Sequence, residues 1–163
     1  MRTVVCPGSF DPITLGHLDV IERAAALFDK VVVCVMVNGG KNSGMFTGEE
    51  RLELVKLATE HLGNVEAVRC DGLLAEFAKA QGACALVKGA RTGSDFDWEI
   101  QLAQINRDLC PELDTVILPA RPEHLHISST MVREMIRYHQ KLDDYIPAGT
   151  AELLQKLREG TVR

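Results

Sequence analysis

Residues 7–17 read P-G-S-F-D-P-I-T-L-G-H, a loop of mostly small residues between a strand pattern and a helix pattern. Residues 3–6 before it form a short apolar run of β type, whereas apolar residues behind it recur at helical spacing. We therefore expect the loop at the carboxyl end of a strand, where the N–H groups of the following helix attract a phosphate. Gly8 and Gly16 allow close approach of the backbone, and His17 would stand beside the phosphate. The stretch predicts a nucleotide site.

A second interpretation of this loop stays open at this point. Turns with Gly and Pro between a strand and a helix are common in α/β proteins, and a lone histidine at a helix start is more often a surface or capping residue than a catalyst. The T-x-G-H element alone does not decide between the two.

Apolar runs of strand type occur at residues 3–6, 31–37, 65–68, 85–88 and 115–118, and helical patterns separate them. This alternation predicts βαβ units and a parallel sheet. The chain has 163 residues, of which 46% are hydrophobic, enough for the core of one domain. We expect a single Rossmann-like α/β domain over residues 1–163, with a five-stranded parallel sheet flanked by helices. Its motif loops should converge at the switch point of the strand order.

Several helix ends carry capping signals. Residues 47–50, T-G-E-E, form a capping box that opens a helix, and Gly63 suits its end. Ser94 is expected to cap the helix that follows the fourth strand. Ser128 or Ser129 should cap a later one.

Composition excludes several function classes. The net charge of -5 and the pI near 5.5 argue against a general nucleic-acid or membrane-surface binder. The longest apolar run, residues 31–37, is too short to span a bilayer, and the N-terminus enters a strand instead of a secretory signal. We expect a soluble, cytoplasmic protein without nucleic-acid or membrane partners. The five cysteines are scattered without C-x-x-C spacing, which disfavours disulfides and a metal site.

Three further charged positions could serve a nucleotide. Lys41 lies in a glycine-rich loop after the second strand, although this is not a Walker A loop and an exposed turn lysine is as common. Lys88 and Arg91 follow the fourth strand in K-G-A-R and suit a polyphosphate, with solvated charge at a strand end as the alternative. Glu99 on the next helix could pair with Arg91 or contact a ribose or magnesium.

The stretch I-S-S-T at residues 127–130 places three hydroxyl residues at a helix start. They can cap the helix, bind phosphate, or do both, because both roles use the same N–H groups. His124 and His126 beside them lack metal-ligand spacing, and no H-E-x-x-H motif or nucleophile elbow occurs.

Five elements follow one another along the chain: the T-x-G-H loop, Lys41, K-G-A-R-T-G-S-D-F-D-W-E, Q-L-A-Q-I-N-R and I-S-S-T. In this order they resemble the motifs of the bacterial phosphopantetheine adenylyltransferases. The resemblance covers nearly the whole chain. Cytidylyltransferases and nicotinamide mononucleotide adenylyltransferases share the T-x-G-H and I-S-S-T elements, but not the middle block or M-F-T-x-E-E-R at residues 45–51.

The resemblance implies that 4′-phosphopantetheine attacks the α-phosphate of ATP with Mg²⁺, giving dephospho-coenzyme A and pyrophosphate in the penultimate step of coenzyme A synthesis. The attacking phosphate is largely ionised at neutral pH, so in-line attack needs no general base. The enzyme has only to align two anions and stabilise the charge in transit.

The same resemblance implies roles for individual residues. His17, Lys41 and Arg91 would be catalytic, at the α-phosphate, between the two phosphates and at the β/γ-phosphates. Phosphopantetheine would contact Ser9, Lys41, Leu74 and Lys88. ATP would contact Ser9, Phe10, His17, Gly89, Ala90, Arg91, Glu99, His124, Leu125, His126, Ile127, Ser128, Ser129 and Thr130. Serine at position 9 stands where threonine is frequent and keeps the hydroxyl, whereas lysine at position 88 replaces a frequent arginine and loses its bidentate geometry.

Members of this family form hexamers and are inhibited by coenzyme A, and the resemblance implies both for this chain. Two other functions remain as alternatives, a related nucleotidyltransferase that uses CTP or another phosphate acceptor, and a nucleotide sensor without turnover. The joint presence of His17, Lys41 and Arg91 speaks against the sensor.

Overall fold

A computed structural model describes residues 1–37 and 44–160. Its single sheet contains β1 (Thr3–Gly8), β2 (Lys30–Met36), β3 (Val65–Cys70), β4 (Ala83–Ala90) and β5 (Asp114–Pro119). All pairings are parallel, in the order β3-β2-β1-β4-β5. The five-stranded parallel α/β sheet predicted from the sequence is confirmed, and the predicted strand runs fall on the observed strands, except that Val37 lies one residue beyond the end of β2.

The strand order reverses between β1 and β4. The chain runs outward from β1 through β2 to β3, and then crosses back to the other side of β1 to add β4 and β5. Connections on opposite sides of β1 and β4 leave a crevice beyond the carboxyl ends of these two strands.

Helices cover both faces of the sheet. They are α1 (Leu15–Leu27), α2 (Gly48–Thr59), α3 (Leu74–Ala80), α4 (Gly93–Leu109), α5 (Ser129–Arg137) and α6 (Thr150–Gly160), with a 3₁₀ turn at Pro122–His124. Because alternate strand residues point to opposite faces, Val4 packs in the core beneath α1, α2, α5 and α6, whereas Val5 packs with α3. No helix in the described part of the chain is long and apolar enough to cross a membrane.

Two of the predicted helix ends are wrong, and the structure decides between the two candidate caps of a third helix. Helix α4 begins after Thr92, whose side chain accepts from the Asp95 N–H, so Ser94 lies inside the first turn and is not the cap. Helix α2 ends at Thr59, where a tighter turn from the Leu62 N–H to the Thr59 carbonyl takes over, so Gly63 does not end it. Ser128 caps α5. The capping box at Thr47 is confirmed.

Candidate active site

A cleft of about 220 Å³ opens at the carboxyl ends of β1 and β4, at the reversal of strand order. Residues from β1, the loop behind it, α1, β4, α4 and the segment before α5 converge there, although they are distant in the chain. The polar lining residues are Thr14, His17, Lys88, Arg91, Glu99, His124 and Ser128. A pocket at this point of a doubly wound sheet is the usual ligand site of such folds.

His17 lies in the first turn of α1 and is oriented by the residue that caps the helix. The Thr14 N–H donates to Nδ1 of His17 at 3.1 Å, while the Thr14 hydroxyl accepts from the His17 N–H at 3.4 Å. Because Nδ1 accepts a backbone hydrogen bond, the neutral ring carries its proton on Nε2. The capping box thus leaves one N–H donor on a side chain that lines the cleft.

The charge state of His17 follows from its surroundings. Burial disfavours the charged ring, and the cations of Arg91 and Lys88 repel it further, so the pKa falls from 6.5 to about 4. At neutral pH His17 is therefore an uncharged hydrogen-bond donor. Such a group can stabilise negative charge that develops on a bound phosphate.

The Phe10 ring forms one wall of the cleft and ties the first loop to His17. It meets the His17 ring edge-on, with 5.1 Å between the ring centroids. It also folds back over Gly8 so closely that a Cβ at this glycine would lie 2.9 Å from Cζ of Phe10. The absence of a side chain at position 8 is thus required by packing, in addition to any ligand.

Lys88 and Glu99 form an ion pair in the cleft. The Nζ of Lys88 lies 3.2 Å from Oε1 of Glu99, and both side chains are largely buried. Of the alternatives given for Glu99, the pair with Arg91 is not formed, because the side chain of Glu99 on α4 reaches back to Lys88 on β4. Between the two cations Gly89 packs against α1, where a Cβ would lie 2.8 Å from Cγ2 of Val20.

Arg91 lies between β4 and α4 and is held by the first turn of α4 and by the segment before α5. Its Nε lies 3.5 Å from Oδ2 of Asp95, and its Nη1 donates to the Ile127 carbonyl at 2.9 Å. These contacts leave part of the guanidinium fork free to donate. The fork therefore combines a fixed position with spare N–H donors that suit phosphate oxygens.

The segment at residues 124–130 contributes one wall but not all of its predicted ligands. The Ser128 side chain accepts from the Met131 N–H, and the Ser129 hydroxyl donates to the Pro12 carbonyl at 2.8 Å. Nδ1 of His124 is buried without a partner among the described residues. The His126 ring instead packs edge-on against Tyr145, 6.2 Å between centroids.

The cleft brings together nine of the predicted site residues, namely Phe10, His17, Lys88, Gly89, Arg91, Glu99, His124, Ile127 and Ser128. Seven others lie outside its lining, namely Ser9, Leu74, Ala90, Leu125, His126, Ser129 and Thr130. Leu74 begins α3 and is partly buried against the core on the Val5 face of the sheet. Lys41 lies outside the described residues.

Three contributors lie in motifs quoted from the sequence, but sequence reasoning gave none of them a role. Thr14 orients the His17 ring, Asp95 holds Arg91, and Arg51 donates to the Ser9 carbonyl at 2.6 Å. Thr14 could have been identified from its place three residues before His17, which is capping-box spacing. Arg51 ends the M-F-T-x-E-E-R stretch, but the sequence alone assigned it no role, because a basic residue on an amphipathic helix is usually solvated.

Comparison with known proteins agrees with this geometry. Residues 5–135 match the family described as Cytidylyltransferase-like. A phosphopantetheine adenylyltransferase of Symbiobacterium thermophilum is 47% identical over 96% of each chain. The protein of that name from Corynebacterium diphtheriae is 45% identical over 97% of this chain and 99% of its own.

A solved structure shares the fold at lower identity. The crystal structure of a Vibrio parahaemolyticus protein assigned as a nicotinate-nucleotide adenylyltransferase superimposes with a TM-score of 0.70 at 21% identity, covering 97% of this chain and 94% of that one. At this identity the likeness concerns the fold alone. With the family match and the relatives above 40% identity, the chain belongs to the phosphopantetheine adenylyltransferase family of nucleotidyltransferases.

Proposed function

We propose that the chain transfers the adenylyl group of ATP to 4′-phosphopantetheine, releasing pyrophosphate and forming dephospho-coenzyme A. The observation that carries the proposal is the cleft at the β1/β4 switch point, in which the neutral donor of His17 faces the same space as Lys88 and Arg91. Full-length relatives named for this activity support the choice of acceptor.

In the proposed step an oxygen of the acceptor phosphate attacks the α-phosphorus of ATP. The new P–O bond forms as the bond to the β-phosphate bridging oxygen breaks, and that oxygen leaves with pyrophosphate. No proton has to be removed from the nucleophile, because the acceptor phosphate is largely ionised at neutral pH. The cleft is consistent with a reaction that uses no general base. Nδ1 of His17 is already occupied by the Thr14 N–H, and the Glu99 carboxylate is paired with Lys88.

Each side chain receives a role from its charge and position. His17 donates from Nε2 to the α-phosphate as charge builds there, which is where a fixed donor has the greatest effect on rate. Arg91 holds the β/γ-phosphates with its spare N–H groups, and Lys88 holds the acceptor phosphate. Lys41, outside the described residues, is proposed to bridge the two reacting phosphates.

Mg²⁺ is proposed to enter with ATP. No group of three or more His, Cys, Asp or Glu side chains suited to a metal occurs in the described ranges, which fits a cation carried mainly by the ATP phosphates. When bound, the ion would neutralise phosphate charge. Glu99 is the acidic side chain that lines the cleft and could contact its water shell or the ribose.

We propose a homohexamer, and helix α4 offers a surface for it. None of its residues is fully buried, and Phe96, Trp98, Ile100, Ile105 and Leu109 are exposed. Exposed apolar side chains concentrated on one element are typical of a subunit interface. Light scattering should give a mass near six times the 17.9 kDa chain, and an active monomer would contradict the assembly.

Coenzyme A is proposed as a feedback inhibitor, since it carries the same phosphopantetheine arm as the product. Inhibition should be competitive with phosphopantetheine. Inhibition that added acceptor leaves unchanged would place the inhibitor elsewhere.

The decisive experiment is a panel of acceptors. The protein is incubated with ATP, Mg²⁺ and phosphopantetheine, nicotinamide mononucleotide or glycerol 3-phosphate, and pyrophosphate release is measured. We expect rapid release with phosphopantetheine only. Equal turnover with either other acceptor, or with CTP in place of ATP, would assign a different reaction.

A further inference from the structure

Arg51 is a buried arginine whose side chain reaches the loop between β1 and α1. It lies in the first turns of α2 and is only 9% exposed. Its Nη1 donates to the Ser9 carbonyl at 2.6 Å and to the Met36 carbonyl at 3.0 Å. A buried guanidinium without a carboxylate is costly, so a position that keeps one needs a physical reason.

No carboxylate lies within ion-pair distance of Arg51 in residues 1–37 and 44–160, and its Nε has no partner there. The two carbonyl oxygens belong to the loop after β1 and to the last residue of β2. The guanidinium therefore clamps the carboxyl ends of two neighbouring strands.

The hydrogen bond to Ser9 acts on the peptide unit that joins Ser9 to Phe10. Because this peptide is trans, a carbonyl directed at Arg51 turns the Phe10 N–H away from it. That N–H has no partner among the described residues. Phe10 itself has a φ of +48°, a left-handed conformation that a bulky residue adopts only when its surroundings impose it.

The orientation of this peptide affects His17 through the ring of Phe10. The Phe10 ring, set by its backbone, lies over Gly8 and edge-on to His17. Rotation of the Ser9–Phe10 peptide would move that ring and remove the wall against which the His17 ring rests.

We propose that Arg51 is a positioning residue for adenylyl transfer, which fixes the Ser9–Phe10 peptide so that the Phe10 ring orients His17 and the Phe10 N–H is free for a ligand oxygen. Its kinetic consequence rests on the proposed function. Arg51 touches no reacting atom in this scheme and acts through Phe10.

The test compares two replacements with a control on the same helix. Arg51→Met removes the charge and keeps the aliphatic stem, whereas Arg51→Lys keeps the charge but replaces the planar guanidinium, whose Nη1 donates to both carbonyls, with a compact ammonium. Thr59→Ala is the control. It removes a buried hydroxyl that donates to the Val55 carbonyl at the C-terminal end of α2, whereas Arg51 lies near the N-terminal end. Tm, kcat, KM and hydrogen exchange of residues 7–14 are measured for each.

We expect Arg51→Met to lower kcat about 100-fold, the effect of a small misplacement of reacting groups, with Arg51→Lys in between. Exchange of the loop amides should accelerate in both. The control should lose Tm but keep kcat and the exchange of the loop close to wild type.

The proposal would be overturned if the Arg51 variants lost no more kcat than the control does at a comparable fall in Tm. It would also be overturned if hydrogen exchange of residues 7–14 were unchanged in the Arg51 variants. If Arg51→Met does not fold, Arg51→Lys carries the test. If the wild type fails to turn over phosphopantetheine, the proposed function fails, whereas loop exchange and calorimetry of ATP binding still decide whether Arg51 positions the loop.

Discussion

Replacement of His17 by two different residues separates its part in helix capping from its part in catalysis. Nδ1 accepts the Thr14 N–H and completes the capping box, while Nε2–H remains as the donor in the cleft. Glutamine is a natural capping-box residue at this position and can accept the same N–H, but it does not place a donor where Nε2 stands. Alanine removes both functions.

The expected magnitudes follow from these two roles. Loss of one preorganised donor to developing charge costs about 2.7–4 kcal/mol of transition-state stabilisation, or roughly 100- to 1,000-fold in kcat. Both His17→Gln and His17→Ala should show this loss. Loss of a capping interaction costs about 1 kcal/mol of folding stability, so only His17→Ala should show a clearly lower Tm.

The assay is steady-state pyrophosphate release, together with calorimetry of ATP binding. Because the donor acts mainly on charge that appears in the transition state, ATP affinity should stay near that of the wild type in both variants. If His17→Ala chiefly weakened ATP binding and kcat were preserved, His17 would be a substrate anchor. The rate effect would then belong to Arg91 and Lys41.

Three other outcomes follow from the site. Lys88→Ala should raise KM for phosphopantetheine about tenfold or more with a smaller change in kcat, because it removes a contact common to ground and transition states; an unchanged KM in initial-rate measurements argues against acceptor contact. Because the pKa of His17 is lowered from 6.5 to about 4, the unfolded chain takes up a proton first as pH falls. Stability should thus be complete above pH 6.5 and decline by up to about 3 kcal/mol toward pH 4, which urea titrations should show for the wild type and not for His17→Gln. Gly89→Ala should destabilise by about 1–3 kcal/mol because its Cβ would lie 2.8 Å from Val20, and a second change, Val20→Ala, should restore most of the loss; failure of that rescue in thermal melts would locate the strain elsewhere.

The local pattern of the chain determined most of the architecture. Apolar runs without alternation predict strands buried on both faces, and the observed strands are buried in this way at Val4–Val5 and Val31–Val35. In the capping box of α2, the side chains of Thr47 and Glu50 each bond to the other residue's backbone N–H, so the spacing of these two residues is enough to predict it. Such features depend on neighbours in the chain, which the sequence displays directly.

Helix ends were less predictable because several candidate caps compete within a few residues. Thr92 and Ser94 both have hydroxyls, and Thr92 caps α4 because its extended backbone leaves β4 at the right angle for its oxygen to face the Asp95 N–H. Gly63 is compatible with a helix end, but the turn closed by the Thr59 carbonyl ends α2 earlier. The deciding factor is the path of the chain into the next strand, which has no local signature.

The sequence by itself determined that the chain folds as a parallel α/β sheet, that its T-x-G-H loop follows a strand, and that its motifs resemble one enzyme family. Only the tertiary structure decided which groups meet. It paired Glu99 with Lys88 instead of Arg91, set the tautomer of His17 through Thr14, and brought Arg51 to the Ser9 carbonyl. The physical reason is that secondary structure depends on periodicity and on neighbours a few residues apart, whereas the partner and the pKa of a charged side chain depend on distances between elements that are remote in the chain.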